Sequence, residues 1–246
     1  ATIELSIVGI FFAILIAVPL GVVAAQNPGG KLDSIVRSSS IIIYALPIFL
    51  VAIVLRLLFS IAIPIFPTTG RLEIANQIEL TRSSANSGFF ILDSILLGRM
   101  DLFASALSHA FLPGLTIGLV IGAIFLRILR SNIAYTMSTE PVMFAKTLGI
   151  TRFGILRTHV AKLIAPQVLT SLGYSLAALV SGFVYVEVSF EWRGLGMILT
   201  GSVLSRDFEL LQGIVVFSVL LVVFVNTLVD ITILTIDRRF RSVRVA

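Results

Sequence analysis

Charged residues are absent from long stretches of this chain, and those stretches set its architecture. No Asp, Glu, Lys or Arg lies between Glu4 and Lys31, Asp101 and Arg127, Lys162 and Glu187, or Glu209 and Asp230. Each interval is about 20 residues or more, and a helix rising about 1.5 Å per residue then crosses a hydrocarbon layer about 30 Å thick. A fifth apolar run, 38–63, is interrupted only by Arg56, late enough in the run to snorkel to the interface. The pattern predicts five spans, near 4–25, 38–61, 108–129, 165–186 and 210–235. Pro19, Pro47 and Pro113 fall inside spans, where a membrane helix tolerates proline, often with a kink.

Composition agrees with the pattern. Hydrophobic residues make up 57% of the 246 and charged ones 13%, against about 25% charged in ordinary soluble domains. The mean hydropathy is +1.07. The fold class expected is all-α, a polytopic membrane protein forming one domain over 1–246. The chain contains no cysteine, which removes disulfides, thiol catalysis and Cys-ligated zinc, and its two histidines, His109 and His159, are fifty residues apart. No metal site is expected.

The basic residues set orientation. Twelve lie on one side: Lys31, Arg37, Arg127, Arg130, Lys146, Arg152, Arg157, Lys162, Arg238, Arg239, Arg241 and Arg244. Five lie on the other: Arg71, Arg82, Arg99, Arg193 and Arg206. The positive-inside bias places the first group, and the C-terminus, in the cytoplasm. The charge of +5 is therefore a topology signal, and no nucleic-acid partner is expected.

Two loops stand out. The external loop, 62–107, opens with a turn-rich segment, Pro64 to Gly70. It continues through a weakly amphipathic stretch, Leu72 to Leu80, a Ser/Asn tract at 83–88, and an apolar stretch, Phe89 to Leu97, expected to be an interfacial helix. The cytoplasmic loop, 131–166, contains a helix start at Thr139, Glu140 and Pro141: a Thr N-cap followed by an acid and a proline in the first turn. That helix is expected to run to Leu148 and to end on Gly149. A second is expected from Thr151 through Lys162 into the next span. The first carries Val142, Met143, Phe144, Ala145, Lys146 and Leu148. An apolar helix beside water either docks on a partner surface or lies on the bilayer, and the residues alone leave both open.

The order Glu140, Ala145-Lys146, Gly149, His159 and Pro166 resembles the cytoplasmic loop of ABC-importer permeases. More narrowly the chain is similar to permeases for dipeptides, oligopeptides and nickel. Further matches are Leu46-Pro47-Ile48-Phe49, Pro67 to Gly70, His109 to Pro113, Val186-Glu187, Phe190 to Gly196, Arg206 to Phe208 with Gln212-Gly213, Leu228 to Asp230, and Asp237 to Arg241. The resemblance implies that Glu140, Phe144, Ala145, Lys146 and Gly149 belong to a coupling helix received by an ATPase subunit. It also implies a second homologous permease subunit, two ATP-binding subunits that carry the ATP and magnesium, an external solute-binding protein, and surrounding membrane lipid. No cofactor is expected in this chain. Family members usually have six spans, so the first is expected to be missing here. The family often has proline where this chain has Arg193 and Arg238.

On the outer side, Glu187, Trp192, Gly194 and Gly196 would form a gate or scoop facing the binding protein. The plainer alternative is a tryptophan anchor at the membrane interface beside a tight glycine turn. Pro47 and Asp230 are candidates for the pathway or for packing, with Asp230 pairing to Arg127, Arg130 or a loop amide. The basic tail from Asp237 fixes topology and meets anionic lipid. No Gly-x-x-x-x-Gly-Lys-Ser/Thr loop occurs, so nucleotide binding in this chain has no support. The function expected is that of a permease subunit in an ATP-driven importer. An ion-coupled secondary transporter is the alternative, but it would require ionisable residues at mid-membrane. An intramembrane enzyme would require paired acids, Ser/His or metal ligands at one depth, and none is seen.

Overall fold

The computed structural model describes residues 1–82, 87–156, 160, 170 and 183–236. Helices dominate, and no strand occurs among the described residues. α1 (Thr2–Gln26) and α6 (Met100–Met137) lie side by side and form the spine. Small residues recur every fourth position on α1, at Gly9, Ala13, Ala17, Gly21 and Ala25, and all are buried. Gly114, Gly118 and Gly122 of α6 are buried opposite them. A Cβ on Gly114 would collide with Val8, and one on Gly118 with Phe12. Lipid tails are as apolar as leucine, so association here comes from close backbone approach and dispersion rather than from expelling water. Pro19 and Pro113 sit inside these two helices without breaking them.

The second expected span is not one helix. α2 (Lys31–Ala45) and α3 (Ile48–Arg56, continuing as a π-helical turn over Leu57–Ala62) meet at 103°. Pro47 stands at the junction in an extended conformation, φ −58° and ψ 136°. It has no N–H to donate to Ile43, and its ring disfavours a continuing helix. Leu46 N–H turns to the Ile43 carbonyl instead, at 3.3 Å.

Among the described residues three helices are long and apolar enough to cross a membrane, Thr2–Gln26, Met100–Met137 and Phe208–Thr232, and the bent α2–α3 pair, taken as one span, makes a fourth. The span expected at 165–186 lies almost wholly outside the described residues, as do His159, Pro166 and the basic tail from Asp237. α6 overruns its expected limits of 108–129 at both ends, because backbone hydrogen bonding continues past the apolar stretch. It thereby takes in the end of the external loop and the start of the cytoplasmic one.

Two short helices, α4 (Ile74–Arg82) and α5 (Phe90–Leu96), occupy the external loop. α5 occupies the stretch expected to be an interfacial helix. It packs on α6 with Phe90, Asp93 and Ser94 buried, and Asp93 accepts hydrogen bonds from Ser87 N–H and Oγ. Beyond α6 follow α7 (Glu140–Thr147), α8 (Arg152–Ile155), the helical residues 183–189 (α9), α10 (Leu195–Ser205) and α11 (Phe208–Ile236). The core divides into three clusters, the smallest of which joins Leu72, Leu80, Phe90, Leu102 and Ala106 beneath the external loop. One of the larger two joins Leu5, Val51, Ala52, Ile117, Phe183, Phe190 and Trp192. The other joins Ala17, Phe125, Leu129, Ile133, Val142, Ala145 and Ile155. α11 stands largely apart: only 6% of its most apolar window is buried within the chain.

Candidate functional site

The two larger core clusters mark two ends of the molecule, each with a candidate site. At one end, two residues, Ser138 and Thr139, separate α6 from α7. Thr139 occupies the N-cap position as expected, but its hydroxyl donates back to the Thr136 carbonyl, at 2.7 Å, and does not cap the new helix. The opposite terminus follows expectation closely. Gly149 has φ +77°, its N–H donates to Lys146 O, and Ile150 N–H donates to Ala145 O. This paired closure satisfies the last carbonyls and needs a left-handed residue, which glycine supplies without strain. Lys146 Nζ donates to the Met137 carbonyl, pinning the helix to the end of α6.

α7 therefore has two faces of opposite fate. Val142 and Ala145 are buried against α6 and α8. Met143, Phe144 and Leu148 are 57%, 65% and 64% exposed. Of the residues expected to engage a partner, Glu140, Phe144, Lys146 and Gly149 lie at the surface, and Ala145 faces inward as the anchor.

Beneath this helix, Asp33 is buried at the start of α2. Arg130 of α6 reaches it with two parallel bonds, Nε to Oδ1 at 2.8 Å and a terminal nitrogen to Oδ2 at 2.7 Å. Gly29 N–H adds a third, at 2.8 Å. Two planar groups in register form the strongest kind of charge-assisted contact. The guanidinium of Arg127 lies over the Tyr44 ring, 5.6 Å from its centre. Asp230 pairs with neither arginine. It is exposed on α11, so the expected pairing with Arg127 or Arg130 does not form.

At the other end, Glu187 is buried and organises three helices. One carboxylate oxygen accepts from Thr2 Oγ1, at 2.6 Å. The other accepts from the N–H groups of Gly196 and Met197, at 2.8 and 3.2 Å. Thr2 Oγ1 accepts from Leu195 N–H. The first three donors of α10 are thus satisfied by α1 and α9, and the carboxylate also meets the positive end of the α10 dipole. Space, not torsional freedom, requires the glycines here. Gly194 is extended, with φ −115° and ψ −168°, but a Cβ on it would strike the Glu187 carboxylate. A Cβ on Gly196 would lie 2.6 Å from Val184 Cα. The left-handed residue of this turn is Glu191, with φ 52°.

Trp192 is 1% exposed and is not the interfacial anchor that its composition suggests. Its Nε1 donates to the Ala1 carbonyl, at 3.2 Å. Beside it lies a group that sequence reading missed. Glu4 and Arg71 form a buried ion pair, at 2.5 Å, and Glu4 also accepts from Ile91 N–H. The Arg71 guanidinium stacks on Phe90, 4.1 Å from the ring centre, and on Trp192, at 5.4 Å. It donates to Gly88 O. Arg71 directly follows the Pro67 to Gly70 segment, and Gly70 N–H donates to Phe190 O. An acid at the head of an apolar run was the available signal; its partner, 67 positions away, was not legible. Arg56 does not snorkel freely. Its guanidinium donates to the Ser189 carbonyl at the end of α9, at 2.6 Å.

The model of the binding-protein-dependent transport system inner membrane components matches residues 17–242. The chain belongs to that family. It is 28% identical over 241 residues to the dipeptide transport system permease protein DppB of Escherichia coli (strain K12), covering 98% of this chain and 70% of the relative. It is 30% identical over 244 residues to the di/tripeptide transport system permease protein DppB of Pseudomonas aeruginosa (strain UCBPP-PA14), with 99% and 71% covered. It is 27% identical over 234 residues to the putrescine export system permease protein SapB of Escherichia coli (strain K12), with 94% and 71% covered. As a transport-system inner membrane component, the chain is a multi-pass membrane protein.

Proposed function

We propose that this chain is the membrane-spanning permease subunit of an ATP-driven importer of short peptides, with substrate delivered by an external binding protein. The observation that carries the reading is α7: a helix held on one face by Val142 and Ala145, closed at Gly149, and displaying Met143, Phe144 and Leu148 outward. An apolar, positioned helix at the end of a membrane spine suits docking into a groove of another protein. In this reading the α7 end and the C-terminus face the cytoplasm, in keeping with the bias of basic residues. The nucleotide and its magnesium belong to two partner ATPases. Two of the relatives are permeases for dipeptides and for di- and tripeptides.

The cycle follows from mechanics. ATPase closure displaces α7, and α7 moves the end of α6 through their two-residue link. α6 is packed along α1, so the spine moves as a unit and the opposite end, around Glu187 and Trp192, opens toward the binding protein. A second permease subunit would complete the path, with the unburied flank of α11 available to it or to lipid. An ion-coupled mechanism has little support: Glu4, Asp33 and Glu187 are all engaged in hydrogen bonds and lie toward helix ends.

The experiment is co-purification with the operon's ATPase, with uptake measured in parallel. Phe144→Asp should abolish ATPase recovery and uptake while the permease remains in the membrane. Recovery of the ATPase at wild-type yield with Phe144→Asp, and with Gly149→Val, would sink the reading.

A further inference from the structure

We propose that the bent α2–α3 pair is a crank pinned at both ends, which carries motion from the α7 end to the Trp192 end. The inference rests on the transport reading above. Each arm belongs to a different core cluster. α2 contributes Val36 to the cluster that holds Val142 and Ala145 of α7. α3 contributes Val51, Ala52 and Leu55 to the cluster that holds Trp192.

Each arm is also fastened by a charge. Asp33 grips Arg130 two turns before α6 hands over to α7. Arg56 grips the Ser189 carbonyl, three residues before Trp192, where the negative end of α9 favours a cation. The elbow between the pins is mostly exposed, held by Arg127 over the Tyr44 ring and by Phe49 beside the Tyr185 ring. Ile41, Ile42, Tyr44, Leu46, Pro47 and Phe49 are all exposed within the chain. Pro47 has removed the hydrogen bond that would stiffen the junction. Two clamped arms and a lightly held elbow at a helix break are the ingredients of a hinge. Asp33, Arg130 and Arg56 are in this sense positioning residues, each bonded to another group of the same chain.

The test reads that arrangement directly in the assembled complex. The chain contains no cysteine, so Ser38→Cys on α2 and Ile53→Cys on α3, both exposed, give specific spin labels. The inter-label distance is measured without nucleotide and after trapping with ATP, magnesium and vanadate. A shift between the states is expected. Asp33→Asn should reduce that shift and lower transport per ATP hydrolysed about tenfold, with ATPase recovery unchanged. The exchanged pair Asp33→Arg with Arg130→Asp should restore coupling. An unchanged distance in an actively transporting complex overturns the crank, and so does an equal fall of transport and hydrolysis in Asp33→Asn. Failure to recover any ATPase removes the transport reading itself, and is seen before any label is attached.

Discussion

The two ends of this molecule handle the same problem, polar groups and apolar surface at the edge of a membrane, in opposite ways. Around Trp192, acids and cations are turned inward. Glu4, Arg71 and Glu187 are buried with bonded partners, and the tryptophan closes over them. Around α7, the apolar side chains are turned outward, and only one face of the helix is used by its own chain. The first arrangement is closed within the chain, with the buried Nε of Arg71 left without a hydrogen bond, and depends on every member staying in place. The second is incomplete alone and depends on something outside it. Changes at the Trp192 end should therefore damage folding, and changes at the α7 end should damage association.

The largest effect is expected from Arg71→Ala. It strands the buried Glu4 carboxylate, and breaking a buried pair on one side costs about 3–5 kcal/mol. Thermal unfolding in detergent should show it, and Glu4→Gln combined with Arg71→Met should recover a substantial part. Equal losses from single and double variants would mean that the pair does not act as a unit. Next is Gly194→Ala, which drives a methyl into Glu187 and should cost about 1–3 kcal/mol as overpacking does, read by the same melt. Gly149→Val forces a branched residue into a left-handed position, at a cost of about 1–2 kcal/mol. Its effect should be concentrated locally, as faster amide exchange in α7 with the Trp192 end unchanged. The smallest effect on stability belongs to Phe144→Asp, within about 0.5 kcal/mol, because the ring is exposed and touches no cluster. Its effect on ATPase capture should nevertheless be complete. A large loss of stability in Phe144→Asp would erase the distinction between the ends.

Much of the α7 end could be read along the chain, because its signals are local. Glu140-Pro141 at the start and Gly149 at the end lie within ten residues of each other, and capping is a short-range interaction. The Trp192 end was only half legible. Glu187, Trp192 and the glycines drew notice, but the reason for the glycines was misjudged. A tight turn was expected, whereas a carboxylate from the preceding helix fills the space a side chain would need. Small residues at every fourth position in α1 and α6 were a second available signal for their pairing.

The pattern of charge-free intervals by itself determined that this is a helical membrane protein and located the spine, and local start and stop residues located the α7 helix. Those properties follow from the length of apolar stretches and from hydrogen bonding between near neighbours. Tertiary structure alone decided that Arg71 answers Glu4, that Arg130 answers Asp33 rather than Asp230, and that the Pro47 run is two helices meeting at 103°. A charge in an apolar setting must find a partner, but sequence does not say which of several distant ones lies within reach. A proline permits a bend, and the packing of the two arms on separate clusters sets its angle.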